Sequence, residues 1–247
     1  MVSVDLNSDL GEGAGTERLI MPFITSANIA CGAHAGDERT MRDTVRLAIA
    51  ANVAVGAHPG YRDPANFGRA PLDIPADALI ADLIVQVETL RGIARSENAD
   101  LTHVKAHGAL YNTAQRDEGV ASSIVSAMKR GAPDAVLFVF PGSAVERLAR
   151  AAGLRVAREG FIDRRYEADG TLRSRTRVDA LITDPQRAAA QAVSFMEDGG
   201  VPAHDGTFVE LEVDTLCVHG DTPGASTILR AARAALVSAG IGIHRVG

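Results

Sequence analysis

Strand-like and amphipathic helical runs alternate along the whole chain, and that alternation restricts it to folds built around a parallel sheet. Apolar runs suited to strands lie at 2–6, 27–31, 53–58, 101–107, 135–140, 156–162 and 208–219. The last can hold an irregular start, and 241–245 can add a short terminal strand. Between them, 37–51, 76–96, 118–129, 143–152, 185–197 and 225–238 repeat their apolar residues with a helical period. Pro75 and Pro185 stand where helices begin, with Asp73 and Asp184 as capping acids. Gly153 and Gly240 stand where helices stop. No linker, low-complexity tract or repeat divides the chain, so one domain is expected over 1–247.

About seven βα units can close into a barrel or lie open as a doubly wound sheet. No GxGxxG follows the first strand and no GxxxxGK[ST] occurs, so dinucleotide and P-loop folds lose their support. Polar residues end nearly every strand run: Asp9, Cys31, His58, His107, Asp163 and His219. An open sheet gathers its ligand at one crevice, whereas a barrel draws on the carboxyl ends of all its strands. The distribution favours closure, with loops at 7–17, 60–73, 163–177 and 220–224.

Three segments alternate polar and apolar side chains, and residues two apart on a strand share a face. Asp5, Asn7 and Asp9 form one row, His103, Lys105 and His107 a second, and Cys217, His219 and Asp221 a third. Inward-facing charges are costly unless paired or used. Lys105 therefore needs a carboxylate such as Asp9 or Asp221, or a bound phosphate. Stretch 5–12 resembles a calcium loop but has Leu10 where the glycine is required. His34 lies among glycines before a helix start, and His58 ends a strand run. Asp163 precedes Arg164 and Arg165, whose guanidinium forks suit carboxylate or phosphate. His219 and Asp221 can act as an acid/base or metal-ligand pair. Scattered His and Asp leave a transition metal open, although no HExxH occurs, and no GxSxG elbow marks a serine hydrolase.

Net charge is −6 without a basic cluster, so nucleic acid is not an expected partner. Apolar runs are too short for a membrane helix, and the first residues do not read as a signal peptide. A cytoplasmic protein is expected, with Cys31 and Cys217 as buried thiols rather than a disulfide.

Seven motifs in order resemble the LamB/YcsF family, the family of 5-oxoprolinase A subunits. They are DLNSDLGE at 5–12, SANIACGAHAGD at 26–37, GAHPGY at 56–61, FGR at 67–69, HVKAHGALYN at 103–112, DRRY at 163–166 and CVHGD at 217–221. The resemblance implies a distorted seven-stranded β/α barrel, related to glycoside hydrolase and deacetylase barrels. It implies ATP-dependent opening of 5-oxo-L-proline to L-glutamate with partner subunits B and C, with Mg expected alongside ATP; a homo-oligomer stays open. Two positions depart from the family pattern: Ala14 stands where Phe is usual, and Ala106 where Pro is usual in Lys-Pro-His. Neither removes a reactive group. Under this resemblance Lys105 and Arg164 stabilise a phosphate or oxyanion, and Asp9, His107, His219 and Asp221 handle proton transfer and water activation. His34 and His58 position substrate or a metal, and Asn7, Glu12, Arg69 and Asp163 complete the substrate site. The rival reading is a stand-alone metal-dependent amide or N-acetyl sugar hydrolase of the deacetylase-barrel type. A third is a ligand-binding subunit without turnover.

Overall fold

A computed structural model describes residues 2–246. The chain runs through β1 (Ser3–Leu10), α1 (Glu17–Ile20), β2 (Ser26–Ala30), α2 (Glu38–Ala50), β3 (Ala54–His58) and α3 (Ala76–Ser96). It continues through β4 (His103–Lys105), α4 (Gly108–Thr113), α5 (Glu118–Gly131), β5 (Val136–Val139), α6 (Ala144–Ala151) and β6 (Val156–Phe161). The remainder holds α7 (Pro185–Glu197), β7 (Gly200–Pro202), β8 (Phe208–Glu210), β9 (Thr215–Cys217), α8 (Ala225–Ser238) and β10 (Gly242–Ile243). Strands β1 to β6 pair in sequence order, β9 follows β6, and β9 closes the ring on β1. Every pairing in the ring is parallel, so the seven strands form the expected β/α barrel.

The helices wrap the barrel because their apolar faces match its apolar exterior. Leu83, Val87 and Leu90 of α3, Ile124 and Met128 of α5, and Ile228, Leu229 and Leu236 of α8 are buried in one core with Val4, Leu6, Val55 and Val104 of the strands. Side chains cap several helix starts: Asp37 accepts from Thr40 N, Asp117 from Val120 N and Asp184 from Gln186 N. Asp73 does not cap α3; Pro75 occupies the cap position without a side-chain bond. Gly153 and Gly240 follow α6 and α8 with φ of +76° and +75°, the left-handed conformation that ends a helix.

Besides α1, α4 and β7, which the sequence expectation lacked, three stretches differ from it. Strand β1 runs through Leu10 rather than giving way to a loop at residue 7. Its polar residues stay extended because neighbouring strands supply partners: Asn7 Nδ2 donates to Thr215 Oγ1, and Ser8 Oγ to the Val218 carbonyl. The run 208–219 is two strands. β8 pairs antiparallel with β7 outside the barrel, and only β9 joins the ring. Between them Glu212 and Asp214 turn to Arg158. The terminal strand shortens to β10, set beside Ser3 and Val4.

Candidate active site

The barrel interior is polar, and its lower layer is a closed hydrogen-bond network. Asp5 accepts from Thr25, Ser26 and Thr215 at 2.5–2.6 Å. Asn28 Nδ2 donates to Asn7 Oδ1 and Asp9 Oδ1, both at 2.8 Å. His103 Nε2 meets Asn28 Oδ1 at 2.9 Å, and its Nδ1 meets the Thr102 hydroxyl at 2.8 Å. The His103 ring fits because position 56 is glycine; a Cβ there would lie 2.0 Å from Nε2. Burial pushes His103 down to about 3, with the Lys105 charge adding to it. Burial also raises the Asp5 carboxyl, against the three hydroxyl bonds.

One layer up, Lys105 Nζ lies 2.8 Å from Asp9 Oδ1, 2.8 Å from Glu159 Oε1 and 3.2 Å from Cys217 Sγ. The Glu159 contact is ionic without hydrogen-bond alignment, and neither Glu159 oxygen has a hydrogen-bond partner. The Tyr111 hydroxyl is also buried without one. Burial, and then the Glu159 charge, hold that phenol well above its ordinary range. Burial opposes the charge on Asp9, but His58 and Lys105 overcome it and hold the carboxyl well below its usual range. Burial likewise opposes the Lys105 ammonium, and Asp9 outweighs it.

Beside this pair stand Glu12, after β1, and three histidines at the ends of the next three βα junctions. Glu12 Oε1 lies 3.0 Å from His34 Nε2, 3.1 Å from His107 Nδ1 and 3.6 Å from His58 Nε2. The His34 and His107 rings stack at 3.6 Å. Close packing brings them there: a Cβ on Gly68, whose φ is +62°, would lie 2.8 Å from His34 Cβ. Burial pushes His34 down to about 4 against the Glu12 hydrogen bond. Burial also lowers His107, whereas for His58 the Asp9 carboxylate outweighs burial and raises it. The four side chains offer one ligand atom each, all within 4.8 Å of one another, a donor set able to hold a metal ion.

The mouth is a cavity of about 590 Å³. His219 stands at its edge, its Nδ1 2.9 Å from Asp163 Oδ2, while Asp163 also accepts from Thr222 Oγ1 and the His219 amide. Burial raises Asp163, but the His219 charge and these bonds bring it down to about 2. Asp221 turns away from His219 and binds Arg69 at 2.5 Å and Arg175 at 3.5 Å. Arg164 donates to the Arg173 carbonyl and leaves its buried Nε unpartnered. Of the residues expected from sequence, Asp9, Glu12, His58, Arg69, Lys105, His107, Arg164 and His219 line the cavity. Asn7 lies in the lower layer, His34 and Asp163 stand behind lining histidines, and Asp221 reaches the cavity through arginines. Sequence reasoning missed Glu159, Tyr111 and Arg175. The need of Lys105 for a countercharge is the signal that could have found Glu159, an acid inside an apolar strand run.

The LamB/YcsF family profile matches residues 4–247. The A subunit of a 5-oxoprolinase from Symbiobacterium thermophilum is 48% identical over 99% of this chain and 95% of its own. A crystal structure of a lactam utilization protein from Thermus thermophilus is 42% identical, covers 99% of this chain and 100% of its own, and superposes with a TM-score of 0.93. A family 4 carbohydrate esterase from Streptomyces lividans shares the fold alone, at 9% identity and a TM-score of 0.54 over 100% of this chain and 93% of its own.

Proposed function

The chain belongs to the LamB/YcsF family, and from that we propose that it is the lactam-opening subunit of an ATP-dependent 5-oxoprolinase. It converts 5-oxo-L-proline to L-glutamate in the cytoplasm, in a complex with subunits B and C. The names carried by its relatives support the reading. The observation that carries it is the cavity itself, with carboxylates, an ammonium and imidazoles at depth and guanidinium groups at the mouth.

A five-membered lactam is a stable amide, so its opening needs an activated carbonyl and a proton for the departing nitrogen. The γ-phosphoryl group passes from ATP to the lactam oxygen and releases ADP. One water adds to the ring carbon. The C–N bond then breaks, the nitrogen takes a proton and an acyl phosphate remains, which a second water hydrolyses to glutamate and phosphate. Arg164, with an unpartnered donor, and Arg69 bind the anionic ends of substrate and phosphate. Lys105 keeps Asp9 ionised and puts a fixed positive charge beside the developing oxyanion. His219, oriented by Asp163, carries the proton to the ring nitrogen. Asp163 is thus a positioning residue. ATP, with Mg, binds partly on a partner chain, since no nucleotide motif occurs in this sequence.

The test is co-expression with subunits B and C, co-purification, and glutamate release from 5-oxoproline with and without ATP. ATP-dependent release requiring all three chains is expected. Turnover of an amide or N-acetyl sugar by this chain alone without ATP would replace the reading with the stand-alone hydrolase. Retention of 5-oxoproline without turnover would make the chain a binding component.

A further inference from the structure

We infer that Glu12, His34, His58 and His107 form a binding site for one divalent transition-metal ion of the zinc type. Two backbone carbonyls fix the proton positions on two of the rings. The Lys105 carbonyl lies 2.8 Å from His58 Nδ1, and the Phe67 carbonyl 2.8 Å from His107 Nε2. A carbonyl only accepts, so both of those nitrogens carry hydrogens. In the neutral rings, His58 Nε2 and His107 Nδ1 then present bare lone pairs, and these atoms face each other 3.0 Å apart. Glu12 Oε1, another acceptor, lies 3.1 Å from one and 3.6 Å from the other. Acceptors crowding one buried point repel one another unless a cation lies between them.

The distances fit an ion. Tetrahedral bonds of about 2.0–2.1 Å to nitrogen and oxygen set ligand atoms about 3.3–3.4 Å apart. Glu12 Oε1 stands 3.0–3.6 Å from the three imidazoles. The two carbonyls are the outer partners that metal-bound histidines use to fix tautomer and ring plane. His34 is held instead by stacking on His107, and its Nδ1 is buried with no partner. Charge agrees as well. Asp9, Glu12 and Glu159 set three carboxylates around the Lys105 ammonium and the His58 imidazole, and a divalent cation supplies the positive charge that a proton on His58 would otherwise bring. Imidazole with one carboxylate is a donor set suited to zinc and its neighbours rather than to magnesium or calcium. An ion there supplies Lewis-acid polarisation of a carbonyl in the adjoining cavity. The inference stands apart from the ATP-dependent reading, because its test reads binding and not turnover.

The full-length protein is stripped with a chelator, loaded with Zn²⁺ or Co²⁺ and passed through a desalting column. Elemental analysis is expected to find about one equivalent per chain. The Co²⁺ form is expected to show the intense visible bands of four-coordinate cobalt. On Zn²⁺ loading, the imidazole ¹⁵N resonances of His34, His58 and His107 shift, and those of His103 and His204 do not. Glu12→Gln weakens binding by more than the roughly 10–100-fold cost of losing an outer partner. His58→Ala/His107→Ala abolishes it, and His204→Ala leaves it intact. The proposal falls if no metal is retained, if metal survives the double substitution, or if ¹⁵N spectra show only a proton shared between His58 and His107. Wild-type stoichiometry and resonances need no variant, so the test holds even where a substitution unfolds the barrel.

Discussion

Two layers of buried polar side chains fill one barrel, a lower one around Asp5, Asn28 and His103 and an upper one around Asp9, Lys105 and the three clustered histidines. Both are equally hidden: His103 is 1% exposed and Lys105 2%. They differ in whether donors and acceptors match. In the lower layer each described side chain bonds to another, Thr215 bridging Asp5 and Asn7 and His103 engaging both ring nitrogens. In the upper layer His34 Nδ1, both Glu159 oxygens, the Tyr111 hydroxyl and Arg164 Nε lack hydrogen-bond partners. Burial of polarity therefore does not by itself mark a working site. A matched network is scaffold, and a mismatched one is held for something that arrives.

Lys105→Ala presses hardest on that contrast. It leaves Glu159 buried without a countercharge and Asp9 with His58 alone beside it, a loss of about 3–5 kcal/mol in stability. ATP-coupled glutamate release is expected to fall about 10²–10³-fold. Urea unfolding and the assay of the reconstituted complex read the two effects; near-normal turnover would return Lys105 to the scaffold. His219→Gln should lower turnover about 10²–10⁴-fold. Its effect on unfolding should be smaller than that of Lys105→Ala, since Asp163 keeps the Thr222 hydroxyl and the backbone amide of residue 219. A stability loss as large as that of Lys105→Ala would instead make it structural.

Acid titration separates the layers more gently. Asp163 sits at about 2, below its ordinary 3.8. Its ionisation thus contributes stability fully present above pH ~4, about 2 kcal/mol, which is lost as pH falls toward 2. Wild-type urea midpoints should drop across that window, and those of Asp163→Asn should drop less; equal slopes would discard this contribution. Thr215→Val gives the smallest effect. It removes one of the three hydroxyl bonds to Asp5 and the acceptor of Asn7 Nδ2, costing about 1 kcal/mol, with turnover per folded molecule unchanged. A turnover defect there would dissolve the distinction between the layers.

The parts of this arrangement that were legible in the sequence are those written in local spacing. Alternation fixed the polar faces of β1, β4 and β9, and strand-end histidines pointed to one mouth. Partner choice was not legible, because it follows from which strands become neighbours. His219 was expected beside Asp221, two residues on, but β9 lies next to β6, and that adjacency delivers Asp163 instead. Glu159 was hidden for the same reason: only the barrel's curvature brings β6 across from Lys105. The split of 208–219 escaped because β-propensity runs through both β8 and β9, while the charges of Glu212 and Asp214 find Arg158 only after folding.

The closure of β9 on β1 has a consequence for synthesis. It joins Thr215 to Asn7, 208 residues apart, so β1 waits for the last barrel strand to emerge. A chain still on the ribosome before that point carries two open sheet edges. Its Asp9 and Glu12 exist from the start, yet His219 is not yet present to complete the mouth. The mouth is thus incomplete until β9 and the residues just after it have been translated, and until then both open edges are exposed to aggregation.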